Sequence, residues 1–352
     1  MILSFMRDSM ARRPTIQDIA EAAQVSVATV DRVLNGRLKV REETARKVSD
    51  AAHRVGYHAT NLIEQRLRAD LPEVRMGFVL QKERQAFYQT LTSEINEAVR
   101  GIPGIRGRAI IEYATSQSPG EIARIMQGLR GRADVVAATA VNHNQTTEAV
   151  LALKEAGVAT FAMFNDFAQG ERLNYIGLNN LRVGRIAAWM LATSARKQGK
   201  IAFFVGGHRW HGHELRETGF RSYFRETKPQ FQVLDTLVNL ETRQLTYEAT
   251  LDLLSRHPDV VGLYLAGGGM EGAIQAMREV RKPGQVSMVV NELTPESRSA
   301  LSDGYLTMVI GTPLRQLCAD LGGLMKTAVL EPDNILPSQQ FLDPVIYVPE
   351  SV

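Results

Sequence analysis

Cysteine is nearly missing from this chain. Cys318 stands alone in 352 residues, so no disulfide framework can form, which fits a reducing cytoplasm. Long apolar runs are missing too. Nothing approaches the roughly eighteen consecutive apolar residues of a membrane span. At the N-terminus, Arg7 and Asp8 interrupt the apolar residues too early for a signal peptide. Residues 1–13 read as a disordered leader, with Met6 or Met10 as alternative starts. Charge of one sign is scarce: the net charge is +3. Its placement is informative. Residues 1–70 carry 12 Lys and Arg against 9 Asp and Glu, while the remainder carries 29 of each. A basic head on a neutral body suits a polyanion-binding module joined to something else. The 44% hydrophobic content, 28 Gly and 13 Pro exclude disordered and collagenous chains.

Periodicity separates the same two regions. Ile16, Ile19, Ala20 and Ala23 form one apolar helix face, started by Thr15 with Asp18 three residues later. Ser26 can cap a second helix that turns Val30, Val33 and Leu34 inward, and Asn35-Gly36 stops it. A third carries Val48, Ala51, Ala52 and Val55, ending at Gly56-Tyr57. From Val74 onward strands and helices alternate. Strands are expected at 76–80, 109–113, 135–139, 159–164, 201–205, 232–238, 261–265 and 286–290. Helices are expected at 87–100, 119–130, 145–156, 214–226, 243–256, 270–281 and 313–329, the last holding Cys318. Such alternation implies parallel sheets covered by helices, here in two lobes. A chain crossing is expected near 175–180.

Two short helices joined at Gln24-Val25 make a minimal helix-turn-helix, whose second helix reads the major groove. With Val30, Val33 and Leu34 inward, Ala28, Arg32 and Asn35 face out beside Val27. Arginine can pair with guanine, and small apolar groups can touch a thymine methyl. Thr15, Ser26 and Thr29, at helix starts, can bond phosphates. Any short helix pair shares this periodicity; the residues themselves are more specific. The run from Pro14 to Gly36, with its D-I-A, V-S, T-V and R-V-L-N-G elements, and then Val40, Glu43, Thr44, Val48 and Gly56-Tyr57, resembles the head of the LacI family of bacterial transcription regulators. The resemblance extends more weakly over the body, to about 349. It implies a two-lobed body like that of periplasmic sugar-binding proteins. It also implies that Val27 and Ala28 read bases and that Arg32 supports DNA contact.

The chain departs from that pattern in places. Gln24 stands where the turn has glycine, and is expected to reach the turn geometry with some strain. Asp31 replaces a serine, either weakening phosphate attraction or supporting Arg32. Residues 57–67 lack the hinge proline of the family. Without a gap Arg66 falls where the minor-groove leucine belongs; with one extra residue Leu67 does. Glu64 would be unfavourable there.

In paired α/β lobes a ligand sits at the carboxyl ends of the strands. Those ends hold Phe87-Tyr88, suited to stacking on a sugar face or to helix packing. They also hold Asn142 and the Asn165-Asp166 pair, which read as hydroxyl binders or as turn residues. Trp210 can stack on a ligand or shield the cleft. The resemblance places Arg216 in the cleft, through R-x-x-G-F, and Glu292 near a cleft aspartate. Thr312 falls near a cleft glutamine that is absent here. It also makes 175–185 the crossover, with Asn179 at the usual aspartate. Gly267-Gly268-Gly269 replaces Ala-Asn-Asp, either enlarging the pocket or forming a tight turn.

His208, His211 and His213 fit no firm metal motif, and neither metal nor cofactor is called for. No nucleophile with a local base stands out, so no catalytic residue is assigned. The expected architecture is an all-α helix-turn-helix head followed by a two-lobed α/β body. The head is placed at 14–57 and the linker at 58–73. One lobe takes 74–177 and 311–337, the other 178–310 and 338–349. The expected function is a cytoplasmic regulator, a repressor, that binds near-palindromic operator DNA as a homodimer or tetramer. A sugar or sugar derivative controls it. The alternatives are a sugar-binding protein or a sugar-acting enzyme with a fused DNA-binding head, or a regulator that answers to a protein partner.

Overall fold

A computed structural model describes residues 13–35, 40–58 and 71–352. The chain forms two compact units, an N-terminal helical one and, from Val74, a larger α/β one. The leader, apart from residue 13, lies outside the described residues. So do Gly36 and residues 59–70, with Glu64, Arg66 and Leu67.

In the head, α1 spans Ile16–Ala23, α2 Val27–Asn35 and α3 Glu42–Arg54. Thr15 and Asp18 form a reciprocal capping box: the Thr15 N–H and hydroxyl both donate to Asp18 Oδ2, at 2.6 and 2.7 Å. Ser26 caps α2 by accepting the Thr29 N–H at 3.1 Å. Ile19, Ala20, Ala23, Val30, Val33, Val48, Ala51 and Ala52 close one small core. The expected inward faces of all three helices meet there. Gln24, between α1 and α2, has φ 56° and ψ 42°, the left-handed conformation glycine adopts freely.

The body holds two sheets. The first runs β12-β5-β4-β3-β1-β2, built from β1 Glu73–Gln81, β2 Arg106–Ala114, β3 Val135–Ala138, β4 Ala159–Met163, β5 Asn174–Leu178 and β12 Ser338–Leu342. The second runs β13-β11-β10-β9-β6-β7, with the two-residue β8 also on β6. Its strands are β6 Lys200–Val205, β7 Gln232–Val233, β8 Leu237–Val238, β9 Val260–Leu265, β10 Ser287–Asn291, β11 Met308–Gly311 and β13 Val345–Tyr347. β13 runs antiparallel to β11, whereas β6, β9, β10 and β11 are mutually parallel.

The helices are α4 Ala86–Gly101, α5 Pro119–Gly128, α6 Asn144–Glu155, α7 Asn180–Ser194, α8 His211–Thr227, α9 Arg243–Arg256, α10 Met270–Val280, α11 Pro295–Ser302 and α12 Leu314–Leu330. Cys318 is buried in α12, its thiol pushed up to about 12 by burial and by Glu94. No described helix is long and apolar enough to cross a membrane.

Three expectations need correction. Residues 338–342 pair with β5 in the first sheet, so the first lobe runs on to 342 and only the residues beyond it return to the second. The strand expected over 232–238 is two short edge pieces on β6, because the chain leaves the ladder between them. The crossing near 175–180 is itself a buried strand, β5. The sequence pattern also left out α7, α11, β11 and the two returning strands. Short strands of three to five residues carry too little alternation to separate from buried loops.

Candidate functional site

The outer face of α2 is open. Val27 is 47% exposed, and Ala28, Arg32 and Asn35 are exposed beside it. Among the described residues no side chain pairs with Arg32, so its guanidinium is available. Asp31 does not support it: Asp31 Oδ1 accepts a 2.6 Å hydrogen bond from Asn35 Nδ2 instead. That bond also occupies part of Asn35. The hydroxyls of Ser26 and Thr29 bond each other at 2.9 Å. Thr15, tied to Asp18, has little left for a phosphate beyond its position at the α1 N-terminus.

In the body a cavity of about 130 Å³ opens at the carboxyl ends of the strands. Its construction begins with two glycines. A Cβ at Gly184 would overlap the Arg216 backbone oxygen, and one at Gly219 would overlap the Leu181 oxygen. Only glycine lets α7 and α8 approach this closely. The contact sets Arg216 at the cavity wall, where Nε donates to Asn180 Oδ1 at 2.7 Å and Nη1 to the Ala266 carbonyl. Beneath it Phe203, Phe220 and Tyr264 pack with ring centroids 5.0–5.4 Å apart. Tyr264 then donates to Asn291 Oδ1 at 2.8 Å and steadies Asn291 in the wall.

Seven of the expected ligand residues line the cavity: Phe87, Tyr88, Asn165, Trp210, Arg216, Gly268 and Glu292. Phe87 packs edge-on against both Tyr88 and Phe164, so it serves the wall as much as the space. Asn165 is fixed by the Ala140 carbonyl and by the Gly212 N–H. Trp210 is 5% exposed, and its Nε1–H has no partner.

Three others lie elsewhere. Asn142 is exposed, its N–H donating to the Arg209 carbonyl across the lobes. Asp166 forms a buried two-point pair with Arg172, at 2.6 and 2.8 Å, and accepts from Gln339. That anchors the returning strand β12. Thr312 stands behind Glu292, to which its N–H and hydroxyl donate at 2.9 and 2.7 Å. Asn179 caps α7 by accepting the Arg182 N–H.

Sequence reasoning missed Glu241, which lies in the loop after β8. Its carboxylate accepts from Gly268 N–H at 3.2 Å and Gln117 at 3.3 Å, with Lys82 Nζ at 3.5 Å. Lys82 and Gln117 belong to the first lobe, so Glu241 ties the two lobes together. Burial opposes its charge, yet His213 when protonated, Lys82 and the Gly268 N–H hold its pKa below the usual value. Applying the strand-end rule to the short β8 would have found it. Gly267 and Gly268 do not enlarge the pocket, because Glu241 and His213 occupy the space a Cβ would take. Gly269, at φ 90°, forms the turn into α10.

His213 is the one histidine of the three in the wall. Its Nδ1 accepts the Gly206 N–H at 3.2 Å, which leaves the proton on Nε2, facing Glu241. Burial lowers its pKa to about 4, so it is neutral near pH 7. Among the described residues no cluster of metal-ligating side chains occurs. Burial, with Glu241 and Glu292, pushes the Tyr88 phenol well up, and burial raises Glu292 despite its Thr312 bonds.

Comparison with known proteins agrees with this division. Residues 15–60 match the model for bacterial regulatory proteins of the lacI family, and residues 76–321 match that of the periplasmic binding protein domain. The chain belongs to the LacI family. It is 26% identical over 285 residues to the HTH-type transcriptional regulator GntR of Pseudomonas aeruginosa, covering 79% of each chain. It is 29% identical over 204 residues to the ribitol operon repressor of Klebsiella aerogenes, covering 56% of this chain and 72% of that one. The body shares its fold with a periplasmic solute-binding protein of Actinobacillus succinogenes holding D-allose. There the TM-score is 0.71 at 18% identity, over 79% of this chain and 98% of that one. The exposed face of α2 thus lies in the lacI-family head, and the cavity lies in the periplasmic-binding-protein-like body.

Proposed function

We propose that the protein is a cytoplasmic repressor whose grip on operator DNA is set by a sugar or sugar derivative held between its lobes. The observation that carries this is the pairing, in one chain, of an unobstructed recognition helix with a cleft whose buried polar groups lack partners. Trp210 and Thr139 line that cleft, and among the described residues neither the buried Trp210 Nε1 nor the buried Thr139 Oγ1 has a hydrogen-bond partner. A ligand rich in hydroxyls supplies what both need. Arg216, with two of its donors spent on protein, can turn the rest of its fork to the ligand.

One helix-turn-helix reads too few base pairs for good specificity, so we assign a homodimer on a near-palindromic site. Val27, Ala28 and Arg32 would contact bases; Ser26 and Thr29 would contact phosphates. The cleft is read as a sensor without catalysis, in line with regulators such as the ribitol operon repressor.

The test is capture of genomic fragments by the full-length protein, followed by carbohydrate competition. A recovered near-palindrome whose affinity changes with one carbohydrate is the expected result. Recovery without sequence preference, or affinity indifferent to every carbohydrate, overturns the reading.

A further inference from the structure

The cleft wall carries one cation, Arg216, and three carboxylates, Glu241, Glu271 and Glu292. Two of the carboxylates are provided for. Glu241 has Lys82 and the donors around it. Glu292 takes both bonds from Thr312 and feels Arg216. Glu271, in the first turn of α10, is half-buried, and among the described residues no side chain bonds to it. The nearest cations are committed elsewhere: Arg243 donates to Gln275 at 3.0 Å, and Lys82 to the Glu241 carbonyl at 2.9 Å. Glu296 adds charge of the same sign, and burial raises the Glu271 carboxyl above its usual value. The carboxylate takes its own backbone N–H and feels Arg243 and Lys82 only from a distance, and a half-buried carboxylate with no bonded cation is costly unless something arrives to pair with it.

Two further atoms in the same wall point to a ligand independently. Trp210 and Thr139 are both more than nine-tenths buried, and Nε1 and Oγ1 are unpartnered. They suit an oxygen-bearing ligand, and a carboxylate with no bonded cation suits a positive one. We infer that the effector is an amine-bearing polyhydroxyl compound, an amino sugar or amino polyol, whose nitrogen faces Glu271 and which carries no carboxylate or phosphate. An acidic ligand would meet three carboxylates against one free arginine fork. The inference rests on the carbohydrate reading above and narrows it.

The test is calorimetric titration of the full-length protein with glucosamine, galactosamine and mannosamine, each beside its uncharged parent sugar. Gluconate and glucose 6-phosphate complete the panel. Expected is one amino sugar binding about tenfold tighter than its parent, and no binding of the two acids. Glu271→Gln should cut the amino sugar's advantage over its parent from about tenfold to near parity, read as the ratio of the two affinities in the same variant. A parent sugar that binds as well as its amine removes the nitrogen and leaves the carbohydrate reading standing. Tighter binding of gluconate or glucose 6-phosphate overturns the inference. Silence across the whole panel overturns the inference and counts against the carbohydrate reading as well.

Discussion

The head and the cleft are held together in different ways. The head is local. Its caps span three residues, its three helices share one small core, and one of its described non-glycine residues, Gln24, has a left-handed backbone. The cleft is assembled from loops far apart in sequence and is strained. Five of the seven described non-glycine residues with positive φ are at it or beside it: Lys82, Phe164, Leu240, Glu241 and Glu292. Each costs on the order of 1 kcal/mol or more, and such strain persists only where surrounding contacts over-determine it. A DNA reader needs a rigid, exposed face. A sensor needs groups aimed inward from both lobes, and unusual backbone angles provide the aim.

If the cleft depends on close helix approach and the head does not, Gly184→Val should separate them. The added side chain must push α7 off α8, costing roughly 3 kcal/mol or more. Two-probe thermal unfolding should show the body Tm falling while the head transition stays in place. A body unmoved by the substitution would remove close helix contact from the account.

Titration gives a second separation, nearly as large. His213 has a folded pKa of about 4, below its ordinary 6.5, so the unfolded chain takes up the proton first. Its contribution to stability is complete above about pH 6.5 and is lost as pH falls toward 4, by up to about 3 kcal/mol. His213→Asn keeps an acceptor for the Gly206 N–H and should flatten that part of the body's stability profile. An identical slope in the variant would contradict the buried neutral imidazole.

On the head, Arg32→Ala should weaken operator binding by about 1–3 kcal/mol, measured by anisotropy. Effector affinity should not follow, and unchanged operator affinity would sink the assigned surface. The smallest effect is expected at Gln24. Gln24→Gly relieves a left-handed residue and should stabilise the head by about 0.5–1 kcal/mol, with no change in the body. Destabilisation would mean that the Gln24 side chain contributes something the backbone angle does not reveal.

The same contrast explains what could be read in advance. The head was legible because periodicity, Thr15 and Ser26 act within three or four residues. The alternation of strands and helices was legible for a similar reason, as was Arg216 through its motif. Asp166 was misplaced because an Asn-Asp pair at a strand end looks alike whether it faces a ligand or, as here, Arg172. Glu241 was missed because its role depends on Lys82 and Gln117, more than a hundred residues earlier. The return of 338–342 to the first sheet was equally invisible, since strand order is a tertiary choice.

The most direct test of the account joins the two regions. Operator affinity of the full-length protein is measured by anisotropy, without and with saturating amounts of whichever carbohydrate raises the body Tm most. Coupling predicts a change of at least about fivefold, and operator DNA must shift the carbohydrate's own affinity by the same factor. Equal operator affinity in both conditions, with the carbohydrate demonstrably bound, would contradict it.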